Sequence, residues 1–185
     1  APGDTVVFTG DWHAYGEREI DTVAPDPTRG TYHPHCMGMS DDPEERLGAA
    51  LIAEIDPGPD AHILPRDASE AHARAVARRA VVERRAVFVQ KHEFSVFEGN
   101  AAANAFVAAL REALGGAPEF VVCGVATDVC VKQAVDGLLD REAMVAVVQD
   151  ATWSLGLLGP EQTFDLWARR GATLTHSAHL VPVER

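Results

Sequence analysis

The chain of 185 residues has only three cysteines, Cys36, Cys123 and Cys130, too few and too irregularly spaced for a disulfide scaffold. A reducing compartment is expected, with thiols available for chemistry. No apolar run approaches the roughly 20 residues that cross a bilayer, and the start, "APGDTVVFTG", has neither the charged nor the apolar region of a signal peptide. No membrane partner is expected, and the expected location is cytoplasmic. Basic residues are scarce: 16 Lys and Arg stand against 28 Asp and Glu, a formal net charge of −12. Such a surface repels a phosphate backbone. The one basic cluster, Arg78, Arg79, Arg84 and Arg85, is interrupted by valines and Glu83, so nucleic acid is not an expected partner.

What is present reads as an ordinary globular enzyme, 46% hydrophobic and 24% charged. The length fits a single domain over residues 1–185, with no repeat and no linker. Short apolar runs recur as strand candidates: "TVVFT" (5–9), "AHIL" (61–64), "AVFVQ" (86–90), "FVVCGV" (120–125), "MVAVVQD" (144–150) and "ATLTH" (172–176). Runs of this kind, rather than alternating ones, suit parallel strands covered on both faces. Helical patterns lie between them. In "DPEERLGAALIAEI" the spacing predicts a helix burying Leu47, Leu51, Ile52 and Ile55, with Asp42 as cap and Pro43 in the first turn. In "NAAANAFVAALREALGG" it predicts one with Phe106, Val107, Leu110 and Leu114 on one stripe, ended by Gly115 and Gly116. The alternation predicts an α/β sandwich with a mostly parallel sheet, whose sites lie at the carboxyl ends of strands. Residues 14–42 read as a long irregular loop of the length that often carries function.

Three strand ends carry chemistry-bearing residues. The elbow "GVATDVC" (124–130) ends a strand at Val125 and begins a helix near Asp128, which puts Cys130 in the first turn. There the helix dipole favours a thiolate, and the unpaired N–H groups of the turn suit an oxyanion. A small buried packing residue fits that position equally well. Lys91 ends "AVFVQK", where an ammonium would lower a thiol pKa; taken alone, a solvated strand-end lysine is the simpler reading. "TGDWH" places Asp11 and His13 two residues apart at the end of the first strand, and "YHPHC" offers His33 and His35. An aspartate and imidazoles so spaced can share one cation, although isolated pairs are more often plain loop residues. Cys36 is read as a packing residue or a ligand, Cys123 as a core-strand residue, and the remaining histidines as structural or surface groups.

"DWH", "PHC", Lys91 and "GVATDVCV", in that order, resemble the isochorismatase-like cysteine hydrolases, most closely their nicotinamidase branch. The resemblance runs from about Val6 to Asp150. It implies a Rossmann-like three-layer sandwich and a Cys, Lys, Asp triad that hydrolyses a small amide through a thioester. Cys130 is then the nucleophile, Lys91 the triad lysine, and Asp11, His13 and His35 the ligands of a divalent Zn, Fe or Mn ion. The Val125–Ala126 bond is the family's cis peptide, aiming the amides of Ala126 and Cys130 at the oxyanion. Tyr32, Phe94 and Trp12 are candidates to cover the substrate ring, with core packing as the alternative for each.

The resemblance also implies a first strand, ahead of "TVVFT", that ends in the triad aspartate. No such strand lies in these residues, so the expectation is a fold lacking its first strand, with the acid supplied by preceding residues. The other expectation is a protein without hydrolysis. Neither Asp4, before the first strand, nor Asp128, inside the elbow, is a convincing substitute for the acid. His33 stands where relatives commonly have proline, and an extra imidazole there adds a ligand or replaces one. Residues 38–86 exceed the usual connection to the lysine strand, which suits a lid or an oligomer contact. The expected function is a metal-containing amidohydrolase and homo-oligomer acting on a small carboxamide, nicotinamide first, with maleamate, ureidoacrylate and carbamoyl amines behind it. The alternatives are a noncatalytic binding protein of the same fold and an isochorismate hydrolase.

Overall fold

Strand β3 (Val87–Lys91) explains why its sequence is a continuous apolar run: all five of its residues are buried, as expected for a strand flanked by neighbours and covered on both faces. The computed structural model describes residues 4–180 and divides into two compact units, 1–115 and 116–185. In the first, β1 (Val7–Asp11) and β2 (His62–Leu64) both pair with β3 in parallel, in the order β1-β3-β2. The register sets Asp11 opposite Lys91.

Between the strands, α1 (Pro43–Leu47) is short, capped by the Asp42 carboxylate on the Glu44 amide. Helix α2 (Glu70–Glu83) starts from Ser69, whose hydroxyl accepts from His72 N–H. It buries Ala73, Val76, Ala77 and Ala80 at helical spacing. After β3, the single turn α3 (Val96–Gly99) folds back onto the strand end, and α4 (Ala103–Ala113) buries Phe106 and Leu110. Each such side chain contributes roughly 1.5–3 kcal/mol when fully removed from water. Asn100, fully buried, ties the connection together: its amide donates to Pro65 O and Gln90 O, and its oxygen accepts from Ala102 N–H.

The second unit has β4 (Glu119–Val125), α5 (Cys130–Leu139), β5 (Met144–Trp153), α6 (Pro160–Arg169) and β6 (Thr173–Thr175), with parallel strand order β4-β5-β6. The middle strand again carries the core, in buried Val145, Ala146, Val147 and Val148. Trp167 of α6 and Val131, Val135 and Leu138 of α5 complete it.

All six expected strands form. The expected parallel pairing holds throughout, in two three-stranded sheets, β1-β3-β2 and β4-β5-β6; among the described residues no strand pairs with the outer edge of β1 or of β4. Two other expectations need correction. The helix expected across residues 42–55 stops at Leu47, where Gly48 follows, and Leu47, Ile52 and Ile55 are exposed. Without a surface to bury them, the helical spacing of those residues gains nothing. Cys123 is exposed rather than in a core, because β4 alternates outward and inward side chains along its length.

Candidate functional site

In the first unit, two strand ends and one loop converge. Asp11 and Lys91 leave neighbouring strands side by side, and the Lys91 ammonium donates to Asp11 Oδ1 and, at 3.1 Å, to the Glu93 carbonyl. The Lys91 side chain is almost wholly buried, so this carboxylate is a main part of what keeps its charge tolerable. The turn above it has no room to spare. A Cβ on Gly99 would lie 2.6 Å from Glu93 N and 3.1 Å from the Lys91 Cβ.

His13 is fully buried. Its backbone pairs with the returning loop, N–H to Cys36 O at 2.9 Å and carbonyl to Met39 N–H at 3.0 Å. That pairing brings the His35 ring to a centroid distance of 5.0 Å. The loop presses so closely that a Cβ on Gly38 would sit 2.1 Å from the Trp12 indole. Trp12 itself packs edge-on against Phe88.

Both imidazoles are held in one tautomer by their outward nitrogens. His13 Nδ1 lies 2.9 Å from Glu17 Oε2, and His35 Nδ1 lies 2.8 Å from the His33 carbonyl. Acceptors on that side put the proton on Nδ1 and leave the Nε2 lone pairs facing inward. Arg66 fixes Glu17 in turn, donating to its Oε1 at 2.5 Å and to Trp12 O at 2.9 Å. Burial pushes the His13 pKa down against the pull of Glu17, so the ring is held neutral. Burial works to raise the Glu17 carboxyl, but the bonds from His13 and Arg66 outweigh it and bring its pKa down.

The donor set fits a divalent cation. Ligand atoms of Asp11, His13 and His35 all lie within 4.8 Å of one another. His13 Nε2 is buried without a hydrogen-bond partner, 3.9 Å from Asp11 Oδ1 and 3.6 Å from Glu19 Oε2. A buried polar atom left unpaired costs about 1–3 kcal/mol, and a cation bound by that lone pair removes the cost. Imidazoles with carboxylates suit Zn, Fe or Mn. His33 contributes its carbonyl and not its ring, which is outside the trio. Cys36 is also outside it; burial first, then Asp11, pushes its thiol pKa up.

The sequence reading missed Glu17, Glu19 and Arg66. Glu19 is 1% exposed, and burial, reinforced by Asp11, pushes its pKa up to about 8. The available signal was their nearness in the chain, four and six residues beyond His13 for the two acids. Of the ring candidates, Tyr32 meets His35 and Phe94 edge-on, with centroids at 5.9 and 6.0 Å.

The elbow of the second unit has the expected shape. β4 ends at Val125, the Val125–Ala126 bond is cis, and α5 begins at Cys130. Val129 and Val131 both donate N–H to Ala126 O, at 3.1 and 3.0 Å, and Thr127 N–H donates to Trp153 O at 2.9 Å. Asp128 is buried and points back to the loop after β5. It accepts from Ser154 Oγ at 2.7 Å and from the amides of Leu155, Leu157 and Leu158 at 2.9, 2.7 and 3.2 Å. Burial alone would raise its pKa, yet these bonds bring it down to about 2. Asp128 thus anchors the loop that follows β5. Among the described residues no helix is long and apolar enough to cross a membrane.

Comparison with known proteins bears on this arrangement. The isochorismatase domain profile matches residues 48–179, while no curated protein matches the sequence. Solved structures share the fold: an N-carbamoylsarcosine amidase from Thermoplasma acidophilum, with 23% identity and TM-score 0.60 over 97% of this chain and 76% of that one. The L. infantum protein PnC1 in complex with nicotinate has 21% identity and TM-score 0.62 over 95% of this chain and 73% of that one. A pyrazinamidase of Pyrococcus horikoshii in complex with zinc has 20% identity and TM-score 0.57 over 93% and 75%. At these identities the likeness establishes fold. With the profile covering well over half its residues, the chain belongs to the isochorismatase family of hydrolases.

Proposed function

We propose that this hydrolase is a metal-containing cysteine amidohydrolase that cleaves a small carboxamide, nicotinamide being the leading candidate. The observation that carries the reading is the Asp11, His13 and His35 trio, with both imidazoles fixed to present Nε2 inward. A metal held there offers a Lewis-acid contact to a ring nitrogen, which favours a heteroaromatic amide over maleamate, ureidoacrylate or a carbamoyl amine. The nicotinate bound by PnC1 and the zinc of the P. horikoshii enzyme support the same direction.

In this reading residues 1–185 act as one catalytic domain. A general acid–base group takes the Cys130 proton, the thiolate attacks the carboxamide carbon, and as the C–N bond breaks the same group returns that proton to the departing ammonia. Water then cleaves the thioester, returning the thiolate and releasing the carboxylic acid. Lys91 stabilises negative charge during attack, and the amides of Ala126 and Cys130 receive the oxyanion. Tyr32 and Phe94 cover the ring, with Trp12 as the third wall. The cytoplasmic location expected from the sequence and the homo-oligomeric state implied by the resemblance belong to the same proposal.

The test is ammonia release from nicotinamide by the zinc-loaded protein and by Cys130→Ala. Loss of at least about a thousandfold in kcat, the scale seen when a nucleophile is removed, supports the reading. Equal, negligible rates with tight nicotinamide binding in both proteins would instead make this a binding protein.

A further inference from the structure

Strand β2 stops at Leu64, opposite Val89 of β3, and the next residue, Pro65, has no N–H with which to extend the ladder. The side chain of Asn100 takes over there. Its amide donates to Pro65 O at 3.0 Å and to Gln90 O at 2.9 Å, so one fully buried group spans the two segments just past that last pair. A primary amide can do this with both donors and still offer an oxygen, which accepts from Ala102 N–H at 3.0 Å.

Asn100 and its two neighbours thereby bracket two side chains of the site. Lys91 lies between Gln90, whose carbonyl Asn100 holds, and His92, whose N–H donates to Gly99 O at 3.2 Å. Arg66 follows Pro65, whose carbonyl Asn100 also holds, and its own carbonyl accepts from Ala101 N–H at 3.3 Å. Both peptide groups flanking each residue are thus tied to residues 99–101. The two side chains then diverge in what they do. Lys91 meets Asp11, whereas Arg66 reaches Trp12 O and the Glu17 carboxylate that orients His13.

We infer that Asn100 is a positioning residue for the reaction, setting where the Lys91 ammonium stands relative to the Arg66–Glu17–His13 chain of contacts. It couples the charge that assists attack to the residues that hold the cation. The inference rests on the proposed function and adds to it a residue that acts from outside the site.

Asn100→Asp keeps the shape and, when ionised, loses both donors; Asn100→Ala removes them without bringing in a charge. Both are measured as the full chain, at a temperature where circular dichroism shows them folded. Zinc affinity, read by competition with a chromophoric chelator, should fall about tenfold, the low end of the cost of removing an outer partner of a metal ligand, because Asn100 stands further out than Glu17 or Arg66. With zinc saturating, kcat for ammonia release from nicotinamide should fall about a hundredfold, the cost of a ~1 Å displacement made away from the chemistry, while KM changes little. A purely structural role lowers the melting temperature and leaves both readouts alone. Because the zinc effect runs through Arg66, Asn100→Ala combined with Arg66→Ala should lose no more affinity than Arg66→Ala by itself.

Zinc affinity and kcat equal to wild type in folded variants, loss of one without the other, or additive losses in the double variant would overturn the inference and leave the proposed function standing. Failure of both variants to fold would overturn it too, by making Asn100 a requirement of the fold alone. Wild-type protein that binds no zinc and releases no ammonia would overturn the proposed function and the inference with it.

Discussion

His13 and Glu17 are joined by a 2.9 Å hydrogen bond between Nδ1 and Oε2, and that bond decides which nitrogen of a fully buried imidazole is left to bind a cation. Removing the acceptor should release the ring. Glu17→Ala is expected to weaken zinc binding 10–100-fold, measured by chelator competition. The same variant strips Arg66 of its carboxylate partner, so Arg66→Ala should reproduce part of the loss.

The Lys91–Asp11 pair should matter for stability as well as for chemistry. Breaking a buried pair by deleting one partner typically costs about 3–5 kcal/mol. Asp11 keeps some contact with solvent, so Lys91→Met is expected at about 3 kcal/mol by urea denaturation, together with loss of ammonia release. Lys91→Met as stable as wild type would mean that Asp11 is satisfied by other groups.

Asp128 gives a pH dependence of definite sign. Its folded pKa of about 2 lies below the value near 3.9 of an unfolded aspartate. The unfolded chain therefore binds the proton first as acid is added. The stabilisation, about 2 kcal/mol, is fully present above pH ~4 and fades as pH falls toward 2. Asp128→Asn should be less stable by about that amount at neutral pH. The two proteins should converge near pH 2. Urea midpoints measured across that range check the prediction.

Two glycines should behave oppositely. Gly99→Ala drives a methyl into the Glu93 and His92 amides, at 2.6 and 2.8 Å, and should cost about 1–3 kcal/mol. It should also disturb hydrolysis through Lys91. Gly159 begins α6 with nothing near its missing Cβ and an ordinary φ of −62°. Gly159→Ala should lie within about 0.5 kcal/mol of wild type, by thermal melting.

The parts legible in the sequence were those with a local signature. Buried parallel strands announce themselves as short runs such as "AVFVQ", and the elbow ending in Cys130 as a strand, a sharp turn and an apolar helical stripe. Helix α2 was not recognised because its arginines dominate the pattern, while the side that packs is made of Ala73, Ala77 and Ala80 with one valine. The helix expected past Leu47 failed for the reverse reason, since periodic apolar residues stabilise a helix only if something covers them. Glu17 and Glu19 lie in residues 14–42, which the sequence marks only as a long irregular loop. Only their burial around His13 gives them a role, and burial is a tertiary property that spacing does not encode.

The pairing of Asp11 with Lys91 across β1 and β3 also restricts how this chain can change length. Side chains alternate along a strand, so one residue inserted or deleted within "VFTG" would bring Gly10 or Trp12 to the position opposite the ammonium and send the carboxylate to the other face of the sheet. Variation there must come in steps of two, and a library of single-residue insertions through β1 would be tolerated only where a bulge absorbs the odd residue.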